Sequence, residues 1–565
     1  MRRVFLGVVI VLAASCGTHE DAPRVAIETR FVVPKGILDK AVKLELRVLE
    51  GGDVACQKEK GTLANESAAK EIGKQDLGGS CTNGARFCGN LSIEKSDATR
   101  VFAASAKDGG GATIAVGCTD AKIDQDNVPI SIQMFRFLEP PNCADTTLQP
   151  TEQCFPGGTA ICDAQCQSTE ILLSQGNKDN FTDTGAANDK TDPFFVWPSA
   201  TGTAGRFVAF FTDKKTTNPT DIGLRVMNDD MTAPTTPPAL AKGSILLSSG
   251  GAFPPQATSL RQSLPQAALF DGKLWVVFQD DNSPGSNGLD IHLRSLDNVF
   301  QSAETPDALA VNGSGGEAGI QTAPSIASGK AHLFVAWEDS GAGKIVGRNF
   351  APPSTFGSQN DISTGNANTQ PSVATTSTGF VTVWKSGTGI KLRAVSEDGT
   401  PQGAESAVSD AGAQFDRPRV AALADGRFAV AWAAGGDIFV QRFDAKGAKI
   451  AGDQDKPIND QVTDGEQTSA VIGATTAAGG SYVVAWIDSG SGHVRARFLG
   501  GSGGFLFNNV NGQSTEFQAS KDDGRSRANP AVASGGSGPY VAIGWEDKTG
   551  APAGVIGRRF PLPTE

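Results

Sequence analysis

The chain has 565 residues, far more than one ordinary domain of ~100 to 200 residues, so several domains or a large repeat array are expected. Glycine (68) and proline (30) are abundant and charged residues make up only 19%, which indicates an all-β chain of short strands and turns. The net charge of −12 becomes −14 once Arg2 and Arg3 of the leader are removed (47 basic against 61 acidic residues), which disfavours binding to nucleic acid.

The first fifteen residues have the pattern of an export signal. Arg2 and Arg3 precede an apolar run over residues 4–12, and small residues follow before Cys16. The run is too short to cross a membrane, which takes ~20 apolar residues. The stretch A-A-S-C at 13–16 resembles the bacterial lipobox, whose cysteine becomes the lipid-bearing N-terminus.

This resemblance implies lipidation of Cys16, a signal peptide over residues 1–15 and a linker over 16–23. Gly17 stands where such lipoproteins carry the aspartate that retains them in the inner membrane. By analogy we expect anchoring at the outer membrane or cell surface of a Gram-negative bacterium. Ordinary cleavage that leaves an unmodified Cys16 is the alternative, although a lone exposed thiol is a liability in an oxidising compartment.

Residues 24–138 contain five strand-like stretches separated by Gly, Asp and Lys turns, which predicts a small β-sandwich. Eight cysteines follow Cys16, and all precede residue 170. An even set in an exported segment indicates about four disulfides, with 105 possible pairings. A zinc site is the alternative, but His19 is the only histidine in this half of the chain. The eight are Cys56, Cys81, Cys88, Cys118, Cys143, Cys154, Cys162 and Cys166.

Residues 139–168 form a Cys-rich segment that includes CADTTLQPTEQCFPGGTAICDAQC. Its cysteine spacing resembles the Cys-rich disulfide repeat of bacterial surface proteins, and Asp145 and Glu152 also fall on that pattern. We expect these two carboxylates to cap backbone N–H groups, because calcium prefers six or more oxygen ligands. The sequence predicts neither a metal nor a cofactor.

Residues 169–565 repeat one unit seven times. Each copy has an apolar burst that ends in an aromatic residue, then a second burst that carries arginine, and a shorter apolar piece lies upstream, often after proline. The aromatics recur at intervals of 47 to 68 residues, in the range of propeller blades. They are Phe210, Phe278, Trp337, Trp384, Trp432, Trp486 and Trp545.

A fourth strand is expected between successive units. The first candidate, EILLS at Glu170, precedes every triplet, while the last triplet ends at Phe560 and has no such strand after it. This offset predicts a seven-bladed β-propeller of four-stranded blades, closed by the first strand completing the last blade. An open β-solenoid or two separate sandwiches are the alternatives.

The units resemble a repeat of bacterial surface and haemolysin-like proteins, of the form F-V-V-x-W followed by I-x-x-Q-R-F-D, and residues 425–447 match it best. The resemblance implies architecture more than activity. We expect the recurrent Trp to fill the wedge between blades and the recurrent Arg to span the seam, with its guanidinium on carbonyls or a carboxylate.

Acidic residues follow the second strand in five of the seven units and make a possible ligand-binding rim. Such a rim suits a cation, a basic partner or sugar hydroxyls, and two carboxylates at ~5 to 9.5 Å serve glycoside hydrolysis. The alternative is that each aspartate accepts N–H bonds of its own turn. The rim residues are Asp213, Asp281, Asp339, Asp488 and Asp547.

No recognisable catalytic motif accompanies the repeats, and His292, His332 and His493 are the only histidines beyond the leader. We therefore interpret the protein as a monomeric, lipid-anchored envelope protein, not an enzyme, whose propeller binds an unknown protein or glycan ligand. The alternative is a carbohydrate-active hydrolase or lyase with its site in the propeller mouth.

Overall fold

A computed structural model describes residues 24–137 and 168–563, apart from internal gaps, the longer of which are 33–39, 78–90, 175–188, 198–205, 233–244, 247–260 and 297–308. The chain divides into two compact units, residues 1–140 with 149–151 and residues 141–148 with 152–565. The leader, Cys16 and the Cys-rich segment, all but Ser168, lie outside the described residues. The predictions made for them stay predictions.

The first unit contains a short 3-10 helix at Glu66–Ala68 and ten strands, β1 to β10. In chain order the strands are Arg24–Ala26, Glu28–Val32, Lys43–Glu50, Ala55–Gln57, Thr62–Ala64, Glu71–Leu77, Ser92–Glu94, Ser96–Lys107, Thr113–Ile123 and Pro129–Arg136. Six of them form a sheet in the order β2-β10-β9-β8-β3-β6, and β1 pairs with β7 and β4 with β5. The described residues thus contain one main sheet of six strands, and the predicted sandwich stays a prediction.

Alternation of apolar and polar residues explains this sheet. Along β3, Leu44, Leu46 and Val48 are buried while the residues between them are partly exposed, because successive side chains of a strand point to opposite faces. A disulfide between Cys56 and Cys118 links β4 to β9. The other six cysteines for which disulfides are predicted lie outside the described residues.

The second unit contains strands β11 to β37. In chain order they are Ile171–Leu172, Asp189–Val196, Arg206–Lys214, Thr220–Asn228, Ile245–Leu246, Gln262–Phe270, Lys273–Asp280, Asp290–Leu296, Leu309–Ala310, Gln321–Ser328, Leu333–Asp339, Lys344–Ala351, Thr355–Asp361, Thr369–Thr376, Gly379–Ser386, Gly389–Ser396, Pro401–Ala407, Phe415–Ala422, Phe428–Ala434, Asp437–Phe443, Gln467–Thr475, Ser481–Asp488, His493–Gly500, Phe517–Gln518, Arg527–Gly535, Tyr540–Asp547 and Gly554–Pro561.

These strands form seven antiparallel sheets, here called blades 1 to 7. Blade 1 is β12–β15, blade 2 β16–β19, blade 3 β20–β23, blade 4 β24–β27, blade 5 β28–β30, blade 6 β31–β34, and blade 7 β35–β37 with β11. The first strand of each blade contacts the first strand of the next, and β35 contacts β12. The ring is therefore closed, and the predicted seven-bladed propeller is confirmed.

Strand β11 closes the ring as the outer strand of blade 7. Ile171 pairs with Gly557 and Leu172 with Ile556. The Ser174 hydroxyl accepts the backbone N–H of Val555, at 2.9 Å. In five other blades, a serine or asparagine just after the outer strand accepts the equivalent backbone N–H of the third strand. Ser174, just after β11, therefore makes the same bond in blade 7. The five residues in the other blades are Asn312, Ser363, Ser409, Asn459 and Ser520.

Blade 5 departs from the predicted four strands. Its expected outer strand, KPIND, is reduced to an isolated bridge between Phe439 and Pro457. The Ile458 N–H still bonds the Ile438 carbonyl at 2.8 Å. Proline has no N–H to donate to a ladder, which accounts for the shortened pairing.

Apolar residues of neighbouring blades pack into seven interblade cores, the last of which joins blade 7 to blade 1. The middle strands are buried on both faces and so have continuous apolar runs. In blades 3 to 7 the Trp of the second strand packs against the preceding blade, as predicted. In blade 1 the equivalent residue, two before Asp213, is Phe211, which packs against blade 7. Phe210, the residue predicted for this role, packs against blade 2 instead.

Arginines of the third strands span the seams between blades. Arg225 donates to the Leu172 carbonyl at 2.7 Å, and Arg348 donates to the Val311 carbonyl at 2.8 Å. In both cases the acceptor belongs to the outer edge of the preceding blade. Arg393, Arg497 and Arg558 bond the same way to Ile362, Ile458 and Ala519. Guanidinium on carbonyls is the predicted arrangement, and it satisfies the buried charge.

The best-matching repeat is the exception to this pattern. In blade 5, Gln441 occupies the position that holds the seam arginine in the other blades. It pairs with Val430, which lies four residues before the end of the second strand at Ala434. Arg442 therefore points to the other face, where it pairs with Asp453 and donates to the Gly500 carbonyl of blade 6 at 2.6 Å. Arg442 thus also links two blades, but it bonds the following blade, whereas the seam arginines bond the preceding one.

Candidate functional site

The predicted rim residues end the second strands of their blades, with one change. Asp213, Asp339, Asp488 and Asp547 are each the last or next-to-last residue of that strand and oppose the first residues of the third. In blade 2 the equivalent residue is Asp280, which is fully buried, and the predicted Asp281 lies just beyond the strand.

Each rim residue bonds within its own blade. The Asp339 carboxylate accepts the N–H groups of Gly341 and Ala342 in the following turn. Asp213 pairs with buried Lys190 at 2.7 Å. Asp281 accepts the backbone N–H of Arg261.

The last two rim aspartates also pair with arginines. Asp488 accepts from Arg495 at 3.1 Å and from Gln467, and Asp547 accepts from Arg525 at 2.7 Å. The same aspartates also accept backbone N–H groups of their own turns, Asp488 from Gly490 and Asp547 from Thr549, which is the arrangement expected as the alternative to ligand binding. Binding at this rim stays a prediction.

The first strand of every blade contains a β-bulge, a feature that the apolar repeats in the sequence do not predict. Each bulge begins with a non-glycine residue of positive φ, between 23° and 57°, and the pairing register then shifts. Proline follows this residue in six of the seven blades. The seven bulge residues are Asp192, Leu264, Ala323, Gln370, Arg417, Ser469 and Asn529.

Positive φ is unfavourable for L-residues by ~1 to 2 kcal/mol and normally selects glycine or asparagine. Here one backbone shape recurs in seven blades with seven different side chains. The backbone of the bulge is held from the preceding blade: the Leu264 N–H bonds Thr212 Oγ1 at 3.2 Å, and the Gln370 N–H bonds a Glu338 carboxylate oxygen, also at 3.2 Å. Strain that the surrounding structure maintains is typical of functional positions.

The first strands surround a central cavity of about 280 Å³. Five of the seven bulge residues line it, together with small and apolar residues of the same strands. Its size is close to the lower limit of small-molecule pockets, ~300 Å³, and its wall carries polar as well as apolar groups. The five are Asp192, Leu264, Arg417, Ser469 and Asn529.

Blade 5 contributes two arginines to this cavity. Arg417 and Arg419 both line it, and the guanidinium of Arg419 donates to the Pro418 carbonyl at 3.3 Å. Burial, with Arg417 adding to it and Asp416 opposing it, lowers the pKa of Arg419 to about 10. Within the described part of the chain, neither guanidinium forms an ion pair. This contrasts with Arg442 and Arg527, which pair with aspartates.

Carboxyl groups lie on the opposite side of the ring. Asp192 of blade 1 lines the cavity, and Glu546 of blade 7 accepts the amide of Asn529 at 2.8 Å. Burial raises the pKa of Glu546; the Asn529 hydrogen bond lowers it in part, and the nearby Asp192 adds to the rise. Glu338 in blade 3 also has its pKa raised by burial.

The histidines do not line the cavity. His292 is buried against Phe278, and burial lowers its pKa while Asp290 partly opposes this. His493 approaches Ser520 and Arg527 at 3.4 Å. No group of three or more potential metal ligands occurs among the described residues. In that same part of the chain, no helix is long and apolar enough to span a membrane.

Comparisons with known proteins give structural matches at low similarity. No family model matches the chain, and no curated protein matches its sequence. The fold is similar to the NanB sialidase of Streptococcus pneumoniae, with 8% identity, a TM-score of 0.38 and coverage of 92% of this chain and 95% of that one.

Two other solved structures have similar scores. A Trypanosoma rangeli sialidase matches with 10% identity and a TM-score of 0.38 over 69% of this chain and 59% of that one. The α-L-arabinofuranosidase PaAbf62A of Podospora anserina matches with 9% identity and a TM-score of 0.31 over 69% and 96%. These proteins are glycosidases, and the similarity concerns the fold alone.

Proposed function

We propose that this is an exported, lipid-anchored cell-envelope protein whose propeller binds a small ligand, without catalysis, in the central cavity. The observation that supports this is the row of bulges. The scaffold repeats a strained backbone in every blade but varies the side chain that it presents, and five of these side chains line one cavity. Repeats share packing residues, whereas binding residues vary between copies.

Binding is tested with the full chain on a glycan array and a small-molecule panel, with glycoside turnover measured in parallel. Ser469→Phe places a ring in the cavity, and we expect it to abolish binding. Thr355→Phe, on the exposed outer strand of blade 3, is the matched control and should bind as the wild type does. Binding that survives Ser469→Phe, or ligand turnover, would contradict the proposal.

Anchoring is proposed through Cys16. The motivating observation is the A-A-S-C stretch after the leader. Metabolic labelling with palmitate should label the wild-type protein and not Cys16→Ser. Label that persists in the variant would exclude lipidation at this residue.

The second candidate function is glycoside hydrolysis in the same cavity. The observation that favours it is the carboxyl pair of blades 7 and 1. Glu546 lies behind the cavity wall, where it accepts a hydrogen bond from the lining residue Asn529. Its pKa is raised by burial, as a general acid needs, and the lining residue Asp192 is near enough to contribute to that rise. Turnover of any glycoside that is lost in Glu546→Gln would favour this function over binding alone.

A further inference from the structure

The wall of the central cavity carries opposite charges on opposite sides. Blade 5 supplies Arg417 and Arg419, and blade 1, across the ring, supplies Asp192. The amide of Asn529 and the hydroxyl of Ser469 belong to the blades between them on one side. These two polar groups are neutral, so the lining has one positive charge in excess: two guanidinium groups against one carboxylate.

The two arginines are the unusual members of this lining. Elsewhere in the propeller, several guanidinium groups bond carbonyls across a seam or pair with aspartate, as Arg348 and Arg442 do. The side-chain contact of Arg419 is a single long bond to the carbonyl of its neighbour Pro418. Neither arginine forms an ion pair within the described residues.

A charge in a confined place is costly unless it is paired and hydrogen-bonded. Desolvation of Arg419 shows in its pKa, which burial lowers to about 10. Arginine keeps its charge even so, because this value remains well above neutral pH. An anion in the cavity would supply the missing partner.

Arginine presents a planar fork of N–H donors that matches the two oxygens of a carboxylate. The single excess positive charge suits a monoanion better than a dianion, which the Asp192 carboxylate would repel. Ser469 and Asn529 offer hydrogen bonds to hydroxyl groups on the body of the ligand. The cavity volume, about 280 Å³, suits a molecule of monosaccharide size.

We infer that the central cavity binds a small hydroxylated carboxylate, with the carboxylate held by Arg417 and Arg419 of blade 5. This inference rests on the proposed function, because it names the chemical class of the ligand of the same site. It identifies Arg417 and Arg419 as the residues that select the charge of the ligand.

Three probes of one size and different charge test the inference: D-glucuronate, D-glucose and D-glucosamine, titrated calorimetrically into the full chain at low ionic strength. We expect glucuronate to bind at least tenfold more tightly than glucose, and glucosamine to bind least. The preference should weaken as salt is added, though less than for a fully exposed charge, because partly buried charges are screened less.

Variants then assign the preference to blade 5. Arg419→Gln and Arg417→Gln should each remove most of the difference between glucuronate and glucose. Asp192→Asn should strengthen glucuronate binding, because it removes the negative charge across the ring. Arg261→Gln is the matched control, since it removes one positive charge from a side chain that is 58% exposed, and it should leave binding unchanged.

The outcomes separate this inference from the proposed function. If glucose binds as tightly as glucuronate and Ser469→Phe blocks both, the cavity is a ligand site and the carboxylate inference is wrong. If Arg417→Gln and Arg419→Gln both fold, by their melting temperatures, and both keep the preference for glucuronate, the inference is also wrong. If none of the three probes binds the wild type, the carboxylate inference fails, while the proposed function is judged on the wider panel.

Discussion

At the scale of single residues, the molecule uses charged groups for two purposes. Seam arginines such as Arg348 are satisfied by carbonyls of the neighbouring blade, and rim aspartates such as Asp339 are satisfied by their own turns. Their repetition along the sequence reflects these structural roles. Arg417, Arg419 and Asp192 are charged side chains that are not repeated at the equivalent positions of the other blades, and they are the charged residues that line the cavity.

The pKa shifts of Glu546 and Asp488 predict opposite effects of their neutral variants on the melting temperature at pH 7. Burial raises the pKa of Glu546 above its ordinary value of 4.5. An acid whose pKa is higher in the folded state than in the unfolded state destabilises the fold once it ionises. This loss of stability develops as the pH rises from the unfolded-state pKa through the folded-state pKa. Glu546→Gln should therefore raise the melting temperature at pH 7 and change it little at pH 4.

Asp488→Asn is the matched control of opposite sign. Burial pulls the pKa of Asp488 up, but hydrogen bonds from Ser491, Arg495 and Gln467 outweigh it, so its pKa lies below 3.8. Such a group contributes stability above its unfolded pKa and loses it as the pH falls through the folded one. Asp488→Asn should lower the melting temperature at pH 7. Equal shifts for both variants, or a pH-independent gain for Glu546→Gln, would contradict this assignment.

At the scale of strands, the sequence predicted the elements well and the bulges not at all. The second strands are apolar on both faces, so runs such as FAVAW in blade 5 and YVVAW in blade 6 predict them directly. The bulges lack a local signal of this kind, because Leu264, Gln370 and Arg417 are not residues that favour positive φ. Their conformation is imposed by bonds from the preceding blade, which a single strand does not reveal.

Proline was the signal that could have identified the bulges. It follows the bulge residue in six blades, directly before the apolar piece that was predicted as the first strand, and so lies inside the strand as the structure has it. A proline inside a paired strand is normally confined to edges and bulges, because it cannot donate to the ladder. Six prolines at one place in a repeat therefore predict a bulge, and with it the residues that face the propeller axis.

At the scale of the whole second unit, stability depends on ring closure by a strand that is distant in sequence. The repeat count and the unmatched EILLS were enough to predict this closure, because an array of four-stranded blades with one strand too many at the start has one way to form a ring. The cavity could not be predicted, because its lining is assembled from first strands of all seven blades. The sequence separation between Asp192 and Asn529 conceals that they belong to adjacent blades.

The closure makes a prediction from two neighbouring leucines, Leu172 in β11 and Leu173 directly after it. Leu173 is fully buried in the core between blades 7 and 1, whereas Leu172 is 41% exposed. Leu173→Ala removes packing from that core and should cost about 3 kcal/mol, in the range for buried leucines. Leu172→Ala retains the strand ladder and should cost less than about 1 kcal/mol, because much of its side chain already contacts solvent.

Urea unfolding followed by tryptophan fluorescence measures both variants, since Trp545 and Trp197 lie in the cores on either side of blade 7. If β11 closes the ring as the structure has it, Leu173→Ala should also expose blade 7 to protease before the other blades, because the lost contact is local to that seam. Equal destabilisation by the two alanine variants would show that closure depends on the backbone ladder alone. No effect of either would show that the ring is held without β11, and the four-stranded closure would then be wrong.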